Sequence, residues 1–290
     1  MKKILLQLDS DRATSVFDAI TAYDAGADVL LQYGEVEPGE VRDLVYGAMF
    51  TRGPEEMKSS AVFIGGSDVP KGEAMLKEVR DAFFGPVRVS AMLDARGCNT
   101  TAAAAVVRVL SGGALKDKKV VVLAGTGPVG QRAAGLLAKE GAAVTVAETL
   151  PSQTLERAQA ACAAIGERFG VSVSAAAAAG PDAVREVLDG AYAVLCTGAA
   201  GILLIPEAVW RDHPTLRILA DVNAVPPLGV EGTKPDWHGK EVEGKLLYGA
   251  LGVGSLKMRV HKRAIARLFE QNDLILDAEE IIAIAKELAE

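Results

Sequence analysis

Two α/β domains built on parallel sheets are the fold class this sequence predicts, and three observations predict it. At 290 residues the chain has length for about two domains. Short apolar runs that read as buried strands alternate with helical stretches nearly end to end, the cadence of βαβ units covered on both faces. A glycine-dense turn sits directly between one such strand and one such helix near the middle of the chain.

The elements follow in order. Residues 4–8 read as a buried strand, Ser15 as the N-cap of a helix opening Val16-Phe17-Asp18, and Gly26 as its stop. A strand at 28–31, a helix at 38–50, a strand at 60–64, a helix at 71–83 and a strand at 87–92 continue the pattern. Residues 99–110 read as a helix of small residues ended by Ser111-Gly112-Gly113, and the domain boundary is placed near residue 100. The second unit then reads as strand 119–124, helix 128–140, strand 143–146, helix 154–169 and a brief strand at 171–173. The alanine run 175–179 reads as a solvated loop or helix start. Strands at 191–195 and 216–220 follow, and helices at 256–270 and 278–288 close the chain.

Composition narrows the class. Half the residues are hydrophobic and 24% are charged, an ordinary globular balance. The net charge of −7 and the absence of a basic stripe argue against nucleic-acid binding, and 5% aromatics argue against a base-stacking platform. The basic start Met1-Lys2-Lys3 leads into an apolar run broken by Gln7, too short for a secretory core. No stretch of about 18 apolar residues is present to span a membrane. Three widely spaced cysteines, Cys98, Cys162 and Cys196, read as reduced thiols of a cytoplasmic protein.

Gly125-Thr126-Gly127-Pro128-Val129-Gly130 fits G-x-G-x-x-G, and its place between strand and helix is the one the mechanism requires. Gly125 is expected to make the tight turn, Gly127 to admit a pyrophosphate, and Gly130 to let helix and strand approach. Pro128 suits the first helical turn, and the helix start offers N–H groups and partial positive charge to phosphates. This marks residues 101–255 as a Rossmann-type cofactor domain. Glu148 lies 18 residues past Gly130 at the next strand end, placed to bind the adenosine ribose and repel a 2′-phosphate. Residues 149–154 contain no cation, and Arg157 is the first one available, so NAD is favoured with NADP open. A solvated strand end is the plainer reading of Glu148.

Two further strand ends belong to the same carboxyl edge: Thr197-Gly198 and Asp221-Val222-Asn223, where Asp221 and Asn223 would project together from an extended segment. The stretch Gly249-Ala250-Leu251-Gly252-Val253-Gly254 reads as backbone passing close to a nicotinamide and leading to Lys257, which periodicity alone makes a solvated helix residue. His213, His238 and His261 show no metal-ligand spacing, and Cys98 and Cys196 read as packing thiols.

With these residues in view, the chain resembles the bacterial NAD(P)-dependent methylene-tetrahydromethanopterin/methylene-tetrahydrofolate dehydrogenases almost end to end. The resemblance is carried by Gln7-Leu8-Asp9, Ser15-Val16-Phe17-Asp18, Thr51-Arg52-Gly53, Phe83-Phe84-Gly85-Pro86, Met92-Leu93-Asp94, Asn99-Thr100-Thr101, the glycine turn, Pro226-Pro227-Leu228-Gly229 and Leu256-Lys257. It implies a substrate domain at 1–100 completed by helices at 256–290, and an interdomain cleft. It also implies a pterin faced by Ser15, Phe17, Asp18, Asn99 and Thr101. Lys257 becomes the first choice for an active-site residue, with Asp18 as the carboxylate that favours developing positive charge. A homo-oligomer, with a trimer favoured, is implied as well. The expected reaction is hydride transfer from a methylene-pterin to NAD(P)+, giving the methenyl form. Two other readings are a shikimate-type dehydrogenase and a non-catalytic dinucleotide sensor.

Overall fold

A computed structural model describes residues 1–150 and 155–289, so the expected helix start at Thr154 lies outside the described residues. In chain order the first elements are β1 (Ile4–Asp9), α1 (Val16–Asp24), β2 (Val29–Tyr33), α2 (Val41–Phe50), β3 (Ser60–Gly65), α3 (Val69–Asp81), β4 (Ser90–Leu93) and α4 (Cys98–Leu110). Next come β5 (Lys119–Leu123), α5 (Pro128–Lys139), β6 (Ala143–Glu148), α6 (Leu155–Phe169), β7 (Ser174–Ala177), α7 (Pro181–Leu188), β8 (Ala193–Cys196), α8 (Glu207–Trp210) and β9 (Ile218–Asp221). The chain ends with β10 (His238–Val242), β11 (Lys245–Tyr248), α9 (Ala250–Arg267), β12 (Ile275–Leu276) and α10 (Ala278–Glu287). Two compact units result: Met1–Thr100 with Met258–Leu288, and Thr101–Lys257.

The first unit holds a five-stranded sheet ordered β12-β4-β3-β1-β2, every neighbouring pair parallel. β3 and β4 are buried throughout because helices cover both faces, which is why they read as unbroken apolar runs. β1 connects to β2 on one side and β2 returns past β1 to β3, so the right-handed crossover rule puts α1 and α2 on opposite faces. The C-terminal segment adds β12 to this sheet. Ser90 anchors it, with Oγ donating to the Gln271 carbonyl (2.8 Å) and accepting from the Leu274 N–H (3.1 Å). Asp277 then caps α10, its N–H bound to Glu280 (3.0 Å), a capping box.

The second unit holds a seven-stranded sheet ordered β10-β11-β9-β8-β5-β6-β7, parallel except for the β10–β11 hairpin. Its order reverses at β5, with β6 and β7 on one side and β8 and β9 on the other. That crevice is where doubly wound sheets take their ligands.

Three parts of the fold differ from what the sequence predicts. The alanine run is not a loop or helix start. Ser174–Ala177 pair with Thr145–Glu148 as edge strand β7, while 171–173 stay outside the strand. Alanine has little intrinsic strand preference, and the neighbour β6 supplies what the sequence lacks. The hairpin β10–β11 was not expected; Glu243-Gly244 forms its two-residue turn with both φ positive (48° and 68°), as hairpin twist demands. The glycine-dense stretch, read as backbone passing close to a nicotinamide, forms the opening of α9 from Ala250 onward. A Cβ at Gly252 would lie 2.1 Å from the Trp237 carbonyl oxygen and one at Gly249 2.2 Å from that of Lys234. These glycines serve close backbone packing against residues 234–237.

Candidate active site

The glycine turn is built as its sequence requires, with one change of role. The left-handed residue is Ala124 (φ 52°), not Gly125. Gly125 is small because a Cβ would lie 2.8 Å from the Val122 carbonyl oxygen, and Gly130 because its own Cβ would lie 2.5 Å from Gly125 Cα. Gly127 is the N-cap of α5, and a Cβ there would meet nothing within 4 Å. That open space lies before a helix start whose first N–H groups, including those of Val129 and Gly130, have no carbonyl within the helix to bind. Pro128 at N1 costs no hydrogen bond. The cradle fits a pyrophosphate.

Glu148 is no solvated strand end. It is 3% exposed, Oε2 accepts from Thr126 Oγ1 (2.6 Å), and Oε1 accepts from the N–H groups of Thr149 (2.9 Å) and Leu150 (3.2 Å). The carboxylate therefore ties the glycine turn to the end of β6 and holds its remaining lone pairs in a fixed direction. Arg157, half exposed, brings Nε to 3.6 Å from Glu148 Oε2. Beside this point lies a cavity of about 250 Å³ walled by Leu150, Ala178, Ile202, Leu203 and Leu204.

Thr197 Oγ1 donates to the carbonyls of Leu123 and Ala124 (both 3.1 Å), joining β8 to β5 where the strand order reverses. Gly198 is confined by Leu204, whose Cδ1 would lie 3.0 Å from an added Cβ. Asp221 and Asn223 are both buried and both work as staples. Asp221 accepts from the N–H groups of Asn223 (2.9 Å) and Val230 (3.2 Å). Burial pushes its carboxyl above the ordinary range, against those two bonds and one from Gly229. Asn223 accepts from the Val225 N–H (2.9 Å) and donates to the Pro227 carbonyl (3.1 Å).

The first unit gathers an acidic cluster around a histidine. His261 on α9 is fully buried, stacked on Phe63 (centroids 5.6 Å, planes 19° apart) and tilted against Phe17 (6.1 Å). Its Nε2 lies 3.8 Å from Asp18 Oδ1 and its Nδ1 3.9 Å from Asp94 Oδ2. Gly65 brings in the third carboxylate: a Cβ there would sit 3.4 Å from Asp18 Oδ2 and 3.5 Å from Asp9 Oδ2. Asp9 accepts from the N–H groups of Asp11 (2.9 Å) and Ser15 (3.0 Å). Burial outweighs those bonds and holds its carboxyl above its ordinary value. Ser15 caps α1 by accepting from the Asp18 N–H (3.1 Å), which sets where Asp18 stands.

Phe17 is 51% exposed beside this cluster. Asn99 is wholly buried, and its amide protons go to the Leu93 carbonyl (2.6 Å) and Asp277 Oδ1 (2.9 Å). Thr101 is half-buried on α4. Lys257 is half-buried on α9, one turn before His261 and on the same helix face.

Asp9, Asp94 and His261 are the residues that sequence reasoning missed. A signal for His261 was present: Ala264 and Ile265 follow it at i+3 and i+4 on the buried stripe of α9, where a lone histidine among apolar residues needs partners. The carboxylates carried no comparable signal, because they lie 9 and 76 residues from Asp18.

The sheet order and glycine cradle define a dinucleotide-binding α/β protein. Among solved structures the chain is similar to shikimate 5-dehydrogenase from Listeria monocytogenes in complex with shikimate and NAD (TM-score 0.54, 13% identity, covering 100% of this chain and 96% of that one). It is also similar to a chorismate mutase/shikimate 5-dehydrogenase fusion protein from Clostridium acetobutylicum (TM-score 0.52, 13% identity, 99% and 98%). Those likenesses show the fold alone. Residues 16–96 match the family model described as methylene-tetrahydromethanopterin dehydrogenase, N-terminal. Over 99% of both chains it is 48% identical to the bifunctional protein MdtA of Methylorubrum extorquens. It is 31% identical, again over 99% of both, to that organism's NAD(P)-dependent methylenetetrahydromethanopterin dehydrogenase. The chain belongs to the methylene-tetrahydromethanopterin dehydrogenase family.

Proposed function

We propose that this protein is an NAD(P)-dependent dehydrogenase acting on methylene-tetrahydromethanopterin or methylene-tetrahydrofolate, converting the bridging methylene to the methenyl form in one-carbon metabolism. The observation that carries the reading is end-to-end relatedness to such an enzyme in a chain that keeps an open pyrophosphate cradle. A nicotinamide dinucleotide held there would supply the hydride acceptor. Gly127, Val129 and Gly130 would meet its phosphates through backbone N–H groups, Glu148 would accept from the adenosine ribose, and the apolar cavity beside Leu150 would take the adenine. Glu148 favours NAD, and Arg157, standing close to Glu148, is the cation that would meet the 2′-phosphate of NADP.

Loss of hydride leaves positive charge shared between a carbon and two nitrogens, and no proton needs to be abstracted. The chain's task is then positioning and charge. Asp18, backed by Asp94 and Asp9, sets a negative potential that favours the cation. His261, stacked on Phe63, stands between Asp18 and Asp94, and exposed Phe17 offers an aromatic face to a pterin. Ser15 and Asn99 position these groups, Thr101 adds a polar contact, and Lys257 orients the substrate. The test is direct: purified protein is mixed with each methylene-pterin and each nicotinamide cofactor while methenyl absorbance is followed. Tight cofactor binding with no turnover on either pterin would remove the reading.

Among the described residues no helix is long and apolar enough to cross a membrane. All three cysteines are free thiols, which supports a cytoplasmic setting. Self-association, a trimer by family resemblance, is supported by α1, which leaves Val16 (71%), Ile20 (58%) and Tyr23 (54%) exposed along one face. Light scattering of wild type and Ile20→Glu tests it, and a monomeric wild type would exclude it.

A further inference from the structure

The first unit carries a groove that the proposed reaction does not use. It holds about 560 Å³, within the range of small-molecule sites, and runs between α2 and the sheet at β1 and β2. Its walls are largely aliphatic, with Ile4 and Leu6 of β1, Leu31 of β2, and Leu44 and Ala48 of α2, and Tyr33, Thr51 and Ser60 add polar groups. Side chains alternate along a strand, so Ile4 and Leu6 face away from the sheet side that carries Asp9. The groove and the acidic cluster therefore lie on opposite faces of the same sheet. The groove exists because α2 turns Gly47 toward it. A Cβ at Gly47 would meet nothing within 4 Å.

Charge gives the groove a direction. Arg52, just past the end of α2, lines one end. Its Nη2 donates to the Lys2 carbonyl (3.1 Å), while its Nη1 is buried and makes no hydrogen bond. A buried guanidinium donor left unmade is costly, and the partner it suits best is a carboxylate. Among the described residues the one carboxylate of the lining is Asp43, in the first turn of α2 and so at the other end of that helix from Arg52. At 1.5 Å per residue the helix rises about 10 Å from Asp43 to its end at Phe50, so the backbones that carry the two charges stand well apart. An anion seated on Arg52 thus keeps clear of Asp43, with aliphatic wall between.

We propose that this groove binds a medium-chain aliphatic carboxylate, its head on Arg52 and its chain along Leu6, Leu31 and Leu44. The site is independent of the dehydrogenase reading, and its test needs no turnover. Decanoate is titrated into the full chain by calorimetry and by thermal shift, with decanol and butyrate as the headless and tailless controls. Expected are saturable 1:1 binding of decanoate, at least tenfold weaker binding of both controls, and a rise in Tm with decanoate concentration. Arg52→Gln should weaken decanoate at least tenfold and leave decanol unchanged. Gly47→Leu, which fills the groove and favours the helix, should abolish binding without lowering Tm. No binding up to 1 mM, equal binding of decanol, or undiminished binding to Gly47→Leu would each overturn the proposal. So would a change of molecular mass in Gly47→Leu, since the groove would then be a contact between copies of the chain.

Discussion

The cofactor cradle and the acidic cluster make an instructive pair. The cradle is made of backbone, confined to residues 124–130; Gly125 and Gly130 each answer to backbone a few residues away, and Gly127 leaves open space before the helix. The cluster is made of side chains from β1, α1, the end of β4 and α9, spread over 253 residues from Asp9 to His261 (261 − 9 + 1). A backbone site is set by local conformation, so its sequence pattern is short and readable. A side-chain site depends on which strands lie adjacent, and that is a property of the whole sheet.

The largest expected effect breaks the local half. Gly130→Val must push its side chain into Gly125, so helix and strand separate. Overpacking of this kind costs about 1–3 kcal/mol. Dinucleotide binding should fall below detection by fluorescence titration, with a lower Tm. A variant that binds cofactor normally would show that close approach at Gly130 is not what shapes the cradle.

The distributed half breaks differently. Lys257→Ala should lower kcat on the order of 10²-fold while cofactor affinity stays nearly unchanged, because misplaced substrate loses near-attack geometry. Wild-type rates in that variant would return Lys257 to the helix surface. Asp18→Asn should lower kcat on the order of 10²-fold, the lower end of the scale on which one preorganised electrostatic group acts. Its cofactor Kd should not move, and a change in that Kd alone would sink the assignment.

Glu148 and Arg157 sharpen the comparison inside the cradle. Glu148→Gln should weaken NAD by about tenfold, since a charge-assisted bond contributes roughly 1.5–3 kcal/mol. Arg157→Leu should weaken NADP several-fold and NAD little, with the gap narrowing at high salt because Arg157 is half exposed. Equal losses for both cofactors would take Arg157 out of the 2′-phosphate's reach.

The smallest effect is one of pH. Burial raises the Asp9 carboxyl above its ordinary value, so the folded chain binds this proton more tightly than the unfolded chain. Its contribution to stability is complete below the ordinary carboxyl range and is lost as pH rises through the raised value. Tm measured across that window should decline in wild type and decline less in Asp9→Asn. An identical slope in the two would assign the pH dependence to other groups.

Much of this molecule was determined by sequence alone. Apolar runs marked β3 and β5, and β1 as far as Gln7, since strands covered on both faces admit little else. Ser15 announced the start of α1, because a side-chain acceptor before an apolar periodicity caps a helix wherever the chain later goes. The glycine turn announced its own chemistry for the same local reason. Only tertiary structure decided the rest. β7 is a strand because β6 pairs with it, and Gly252 is required because Trp237 crosses it. Glu148 became an anchor because Thr126 lies 2.6 Å away, 22 residues back in sequence. His261 became the centre of an acidic cluster because β1, β3 and β4 lie side by side in one sheet, an adjacency set by long-range strand pairing that no local run of residues encodes.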